Sequence, residues 1–204
     1  MHKVLDFIKK NKQFSFFLLL VILLALITIF APVIAPQDPY ASDLKNALQP
    51  PSSAHWFGTD KLGRDIFSRV IYASRSSLPA TLILVVLIFA IGTLLGTLAG
   101  YFGGWIDAVI MRISDMMISF PGMVLAIAVA GIMGASVKNA VIAVAVVSWP
   151  KYARLARSLV MKIRHEDYIY AAIVTGSKTS YILRKYMLPN IIPTLIITAA
   201  TDIG

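Results

Sequence analysis

Tyr170-Ala171-Ala172-Ile173-Val174-Thr175-Gly176, closed further on by Leu188-Pro189-Asn190, is a polar, cation-rich stretch set between two strongly apolar parts of the chain. Its residues predict two short helices. Asp167 falls in the first turn of one, where a carboxylate suits the positive helix end, and Gly176 stands where a left-handed C-terminal cap belongs. Thr179 or Ser180 is placed to cap the next, which Pro189 ends. A hairpin of this kind between membrane segments is a loop for a partner on the membrane face to grip.

Composition decides what surrounds it. Over 204 residues, 58% are hydrophobic, 14% are charged and the mean hydropathy is +0.77, against about a quarter charged in ordinary soluble domains. The expected fold is an all-α integral membrane protein, a polytopic bundle of transmembrane helices. The chain has no cysteine, which excludes disulfides and thiolate metal sites but names no compartment.

Residues 14–34 hold no charge and follow Lys3, Lys9, Lys10 and Lys12. This is one crossing at about 1.5 Å per residue; a cleaved signal peptide ending near Ala31 or Ala35 would have a shorter apolar core, of about 7–15 residues. A second span over 78–99 carries Gly92, Gly96 and Gly100 at four-residue spacing, a small-residue ridge for close helix packing. Lys138, beside Gly134, Ala135, Ser136 and Asn139, marks a tight outer turn between a third crossing over 116–133 and a fourth over 140–152. The fourth is short and is expected to continue past Pro150 as a kinked helix. A fifth apolar segment starts at Ile191. The resulting division is a tail and first helix over 1–35, an extracytoplasmic loop over 36–77 and a core over 78–204 with its cytoplasmic loop over 151–188.

With the N-terminus inside, thirteen cations fall in inner segments (Lys3, Lys9, Lys10, Lys12, Arg112 and the eight between Lys151 and Lys185) and six in outer ones (Lys45, Lys61, Arg64, Arg69, Arg75, Lys138). The positive-inside rule then places the N-terminus and the hairpin in the cytoplasm. Part of that charge also serves attraction to anionic lipid. The net charge of +9 is spread over membrane flanks rather than one soluble face, which argues against nucleic-acid binding.

The outer loop opens on Pro36-Gln37-Asp38-Pro39, stays extended through Gln49-Pro50-Pro51, and then runs His55-Trp56-Phe57-Gly58-Thr59-Asp60-Lys61-Leu62-Gly63-Arg64-Asp65-Ile66-Phe67-Ser68-Arg69 into a helix. Asp65 and Arg69 are spaced as an i, i+4 ion pair. Ile66, Phe67, Val70 and Ile71 form the apolar stripe of a surface helix lying against the membrane or the outer ends of spans.

Two motifs carry a family resemblance. The hairpin resembles the EAA loop of ATP-binding-cassette importer permeases, whose pattern is Glu-Ala-Ala, three residues, Gly, and later Leu-Pro. The outer string, through Gly58, Thr59, Asp60, Gly63, Arg64, Asp65 and Arg69, is similar to the signature of the second permease subunit of dipeptide, oligopeptide and nickel importers. Asp115-Met116-Met117, Ser119-Phe120-Pro121, Tyr152-Ala153-Arg154 and Arg157-Ser158 extend the likeness over nearly the whole chain. The resemblance implies a bacterial inner-membrane permease that pairs with a second permease and two ATPases and receives cargo from an extracytoplasmic binding protein. It implies that Tyr170, Ala171, Ala172, Gly176, Ser177, Thr179 and Pro189 form the coupling helix seated in an ATPase cleft. Tyr170 replaces the family's glutamate, so no ion pair carries over from it. The family also continues beyond the fifth span, so the chain is expected to be cut short at its C-terminus.

No catalytic chemistry or cofactor is expected. Thr175-Gly176-Ser177-Lys178-Thr179 lacks the second glycine and the preceding strand of a phosphate-binding P-loop. His2, His55 and His165 are far apart; His55 alone is weighed as a metal contact, since imidazole suits nickel, against an ordinary interfacial histidine. Methionines such as Met111, Met116, Met117, Met123 and Met133 read as helix-packing residues, and Asp115 finds a partner in Arg112 three residues earlier. Two other classes stand as alternatives. An ion-gradient transporter calls for ionisable residues within spans or broken helices in repeated halves, and a membrane scaffold calls for no ATPase at all.

Overall fold

The computed structural model describes residues 10–203; Lys3, Lys9 and His2, counted above, and Gly204 lie outside the described residues. The chain divides into two compact units, Met1–Pro79 and Ala80–Gly204. Among the described residues the regular elements are helical, with a single isolated bridge between Thr59 and Asp65.

In the first unit, α1 (Lys12–Ile34) matches the first expected span and is apolar throughout, with Ala31 its buried residue. Its phenylalanines and leucines face outward, as suits a helix solvated by lipid rather than water. An irregular loop with one 3₁₀ turn at Leu44–Asn46 leads to α2 (Ile66–Phe102), a helix of 37 residues. Here the sequence reading is corrected: the outer surface helix and the second span are one helix, continuous through Pro79. At about 1.5 Å per residue that is roughly 55 Å, well beyond the ~30 Å hydrocarbon core.

The second unit is built around α5 (Val137–Arg164), against which α3 (Gly104–Ser119), α4 (Gly122–Met133) and α8 (Leu188–Ile203) pack. Ser136 caps α5 by accepting from the Asn139 N–H at 3.0 Å, and Asn139 Nδ2 donates to the carbonyls of Met133 and Gly134 at 2.6 and 3.0 Å. The expected turn around Lys138 is thus held by its own polar residues. Beyond Pro150, α5 continues to Arg164. Residues 151–164 are therefore the end of a core helix, and the loop proper starts at His165.

Three further expectations are corrected. The third crossing is not one helix: α3 and α4 meet at 94°, because Phe120 is extended and Pro121 has no N–H with which to carry the ladder across. Neither Thr179 nor Ser180 caps the second hairpin helix, whose N-cap is Lys178 without a side-chain bond. Pro189 does not end that helix either. A π turn over Leu183–Met187, closed by the Leu188 N–H on the Leu183 carbonyl, widens the ladder where the proline cannot donate and delivers the chain into α8. Among the described residues, α1 and α2 are each long and apolar enough to cross a membrane, and the bent α3–α4 pair passes when taken together. The expected fourth and fifth crossings fall on α5 and α8, which do not reach that standard, α5 because of its cations and α8 at 16 residues.

What fixes the second unit is the glycine ridge. A Cβ at Gly96 would overlap the Ala153 carbonyl oxygen, one at Gly92 would overlap Tyr152 Cβ, and one at Gly100 would stand 2.8 Å from the Arg157 oxygen. The ridge lets the α2 backbone lie directly on α5, whose facing residues Tyr152, Ala153, Ala156 and Val160 are fully buried. Gly131 on α4 has nothing near its missing side chain and makes a control. Gly96→Ala should destabilise the purified protein by about 1–3 kcal/mol through overpacking, and Gly131→Ala should be neutral or stabilising. Thermal unfolding in detergent reads this; equal melting of the two variants would contradict the packing.

Candidate functional site

The hairpin comprises α6 (Asp167–Val174), the turn at Gly176 and α7 (Thr179–Ile182). Asp167 lies in the first turn of α6, as expected. At the other end the Ser177 N–H bonds to the Ala172 carbonyl at 3.0 Å and the Gly176 N–H to the Ile173 carbonyl at 2.9 Å, the paired bonds of a Schellman cap. Gly176 has φ +79°, the left-handed conformation that the cap requires.

The two faces of α6 differ. Ile169 and Ala172 are buried and join Ile182, Met187, Ile191 and Leu195 in the core that also contains Tyr152, Ala156 and Val160 of α5. Tyr170, Ala171, Ile173 and Val174 face out, Val174 at 85% exposure, and Tyr181 of α7 is half exposed. Ser177 is half-buried, and Thr179 and Pro189 are exposed. Ala172, which the resemblance seats in a partner's cleft, packs here on the chain's own helices, because it follows Ile169 by three residues and shares its face. Tyr170, standing where the family pattern has glutamate, brings its hydroxyl to 3.1 Å from His165 Nδ1.

The hairpin is rooted by charges that local spacing did not reveal. Asp115 pairs with Arg154 at 2.5 Å rather than with Arg112, and Arg157 makes a two-pronged contact with Asp107. Lys151 and Tyr152 both reach Asp202, the tyrosine hydroxyl at 2.7 Å. These pairs tie α3 and α8 to the part of α5 nearest the hairpin. One sequence signal was available: Lys151, Arg154 and Arg157 recur every three residues, a polar stripe on an otherwise apolar helix.

In the first unit the outer signature residues form a self-bonded knot. Asp60 accepts from the backbone N–H of Leu62 at 2.8 Å and of Arg64 at 3.1 Å, and from Arg64 Nε at 2.8 Å, with Arg69 Nε at 3.5 Å. Asp65 accepts the Ser68 N–H at 2.7 Å and lies 3.0 Å from His55 Nδ1. The expected Asp65–Arg69 pair is therefore replaced, since Asp65 is already engaged and Arg69 turns to Asp60 and to the Pro39 carbonyl. Thr59 bonds to the Asn46 carbonyl and accepts the Gln49 N–H. Gly58 and Gly63, both at φ +74°, sit where a side chain would strike the backbone of Gln49 and Asp43 respectively. His55 is buried between Asp65 and Gln37, and among the described residues no three His, Asp or Glu side chains gather as a metal site.

Both carboxyls are held below their usual range. The Arg64 side chain brings Asp60 down to about 2, with burial opposing and the Arg64 and Leu62 N–H groups assisting. Burial alone would raise Asp65, but the Ser68 and His55 hydrogen bonds outweigh it and the net shift is downward.

Taken together, these features define a polytopic helical membrane protein with a two-faced hairpin and a braced loop before its second helix. The chain belongs to the inner-membrane components of binding-protein-dependent transport systems, whose family model matches residues 92–204, more than half of the chain. The model of the N-terminal membrane domain of oligopeptide transport permease C matches residues 2–51. The chain is 45% identical over 185 residues to the probable D,D-dipeptide transport system permease protein DdpC of Escherichia coli (strain K12), covering 91% of this chain and 62% of that protein. It is 43% identical to the dipeptide transport system permease protein DppC of Alkalihalophilus pseudofirmus, over 97% of this chain and 65% of the other. With the nickel transport system permease protein NikC of E. coli (strain K12) it shares 37% identity over 92% of this chain and 68% of the other. The chain thus spans somewhat under two thirds of the length of the first two relatives.

A depressed carboxyl stabilises above its unfolded-state value, near 4, and that contribution is lost as pH falls through its folded value. Hydrogen-exchange protection of residues 57–65 should therefore hold from pH 7 to about 4 and decay toward pH 2, where Asp60 titrates. Asp60→Asn should open the loop to trypsin several-fold faster at pH 7.5, at Lys61 and Arg64, and Asp38→Asn should not. Equal resistance of the two variants would contradict the brace.

Proposed function

We propose that the chain is a permease subunit of an ATP-driven importer for peptides or nickel. It forms the translocation path with a second permease, is driven by two ATPase subunits that carry out the hydrolysis, and takes cargo from an extracytoplasmic binding protein. The supporting observation is the two-faced hairpin: its inner face is built into the helix core while its outer face leaves Tyr170, Ile173 and Val174 uncovered. An apolar outer face of this kind is a poor surface for water and a good one for a partner. The relatives' own names, covering D,D-dipeptide, dipeptide and nickel transport, support the substrate class.

In this reading the closing ATPases push on Ala171, Ile173 and Val174. Ile169 and Ala172 transmit the displacement to Ile182, Met187 and α5, and the paired charges on Lys151, Arg154 and Arg157 carry α3 and α8 along. A movement passed through packed side chains and ion pairs is a rigid-body one. Gly176 keeps the hairpin folded, and Ser177, Thr179 and Pro189 set the chain's return to the membrane.

Val174→Glu changes a residue with no role in the chain's own core. A free surface tolerates it within about 0.5 kcal/mol, whereas an unpaired charge in a desolvated contact costs several kcal/mol. The variant should insert and melt normally yet release the ATPases on detergent purification and abolish uptake by the assembled transporter. Retained ATPases with normal uptake would refute the coupling role. Gly176→Val should strain the cap by about 1–2 kcal/mol and lower uptake without blocking insertion.

The cation asymmetry supports an orientation with the N-terminus and hairpin inside and the loop before α2 outside. Single cysteines at Ser53 and Val174, in a chain that has none, test this in right-side-out vesicles. An impermeant maleimide should label position 53 and spare position 174, and the reverse pattern would overturn the orientation.

A further inference from the structure

Five carboxylates lie in the second unit. Asp107, Asp115 and Asp202 are taken by Arg157, Arg154 and Lys151. Glu166 and Asp167 begin α6 and pair with no cation among the described residues. The cations of the segment that follows are therefore left without counter-charges. The Lys178, Arg184 and Lys185 side chains form no ion pair and no hydrogen bond among the described residues, and the Ser177 and Ser180 hydroxyls make none either. These five residues and Tyr181 line one open cleft of about 750 Å³.

We propose that this cleft binds a phosphate group, and that its occupant is the phosphodiester headgroup of an anionic phospholipid. Three cations with two hydroxyl donors are the chemistry of phosphate recognition, with guanidinium supplying a forked donor and the ammonium groups point charge. Their position in the fold selects the source. Arg184 and Lys185 lie in the π turn that leads directly into α8, whose first turns, from Leu188 through Thr201, contain no charged residue. Arg184 and Lys185 thus stand within about one turn of the point where the chain becomes apolar, which is the headgroup level of a bilayer, and Lys178 lies at the head of the short helix that leads to them. Tyr181, half exposed beside them with its ring 6.0 Å from that of Tyr186, suits the same boundary, where amphipathic rings collect. A carboxylate surface on a protein partner would also satisfy the charge, but would not require the cleft to sit at the start of an apolar helix. A lipid clamped here would tether the base of the hairpin to the membrane while the outer face of α6 stays free.

Native mass spectrometry of the assembled transporter, purified in detergent and titrated separately with dioleoylphosphatidylglycerol, dioleoylphosphatidylcholine and inorganic phosphate, reads occupancy directly and independently of uptake. The wild type should retain phosphatidylglycerol in preference to phosphatidylcholine. The variant Lys178→Gln, Arg184→Gln, Lys185→Gln should lose at least about ten-fold in that affinity, while Lys138→Gln with Lys162→Gln, cations outside the cleft, should leave it unchanged. No preference for the anionic lipid, equal loss in the control variant, or undiminished binding in the triple variant would each overturn the proposal. Inorganic phosphate competing as well as the lipid would overturn the lipid source. Loss of ATPase subunits from the triple variant with lipid binding intact would assign the cations to a protein contact instead.

Discussion

Direct backbone contact between α2 and α5 is the constraint on which the second unit depends. Gly92, Gly96 and Gly100 leave no side chain between the helices, so the spacing is set by the Ala153 and Arg157 carbonyls and the side chains of Tyr152, Ala156 and Val160. In a lipid surround, hydrophobicity gives helices little reason to associate, and close van der Waals packing has to supply it. Once α5 is seated, its next residues are fixed in space. Lys151, Arg154 and Arg157 then hold α8 and α3 through Asp202, Asp115 and Asp107, and Ile169 and Ala172 close the hairpin over the same core.

The first unit solves a different problem. Residues 35–65 have no sheet and little apolar core, so carboxylates substitute for both. Asp60 gathers two backbone N–H groups and two arginines, and Asp65 ties the start of α2 to His55. Each bond is charge-assisted and stronger than a neutral one. The outer signature is therefore explained as the wiring of the loop, without recourse to a ligand.

Much of this was legible in the sequence, and what was missed has a pattern. Period, charge and small-residue spacing are local properties, and they located α1, the glycine ridge, the turn at Lys138 and the left-handed cap at Gly176. Partner choice is not local. Arg112 and Asp115 have good spacing on one helix, but Arg154 arrives from another helix and takes Asp115, and Asp65 is claimed by His55 before Arg69 can reach it. Proline was over-read as a stop signal at Pro189, which a π turn absorbs, whereas α5 runs through Pro150 as expected. At Pro121, where the preceding residue is extended, the helix does break. The likeness to the EAA loop is legible in the sequence, but which of its residues face outward depends on the tertiary packing, since Ala171 and Ala172 are alike in sequence and opposite in burial.

The central claim is that the hairpin shows one face to its own bundle and the other to an ATPase. Cysteine cross-linking measures this directly in membranes containing the assembled transporter, because the chain supplies no background thiol. A short bifunctional maleimide should join Val174→Cys to the ATPase subunit and leave Ala172→Cys unlinked. Linkage at 172 with none at 174, or no ATPase adduct at either position, would contradict the account.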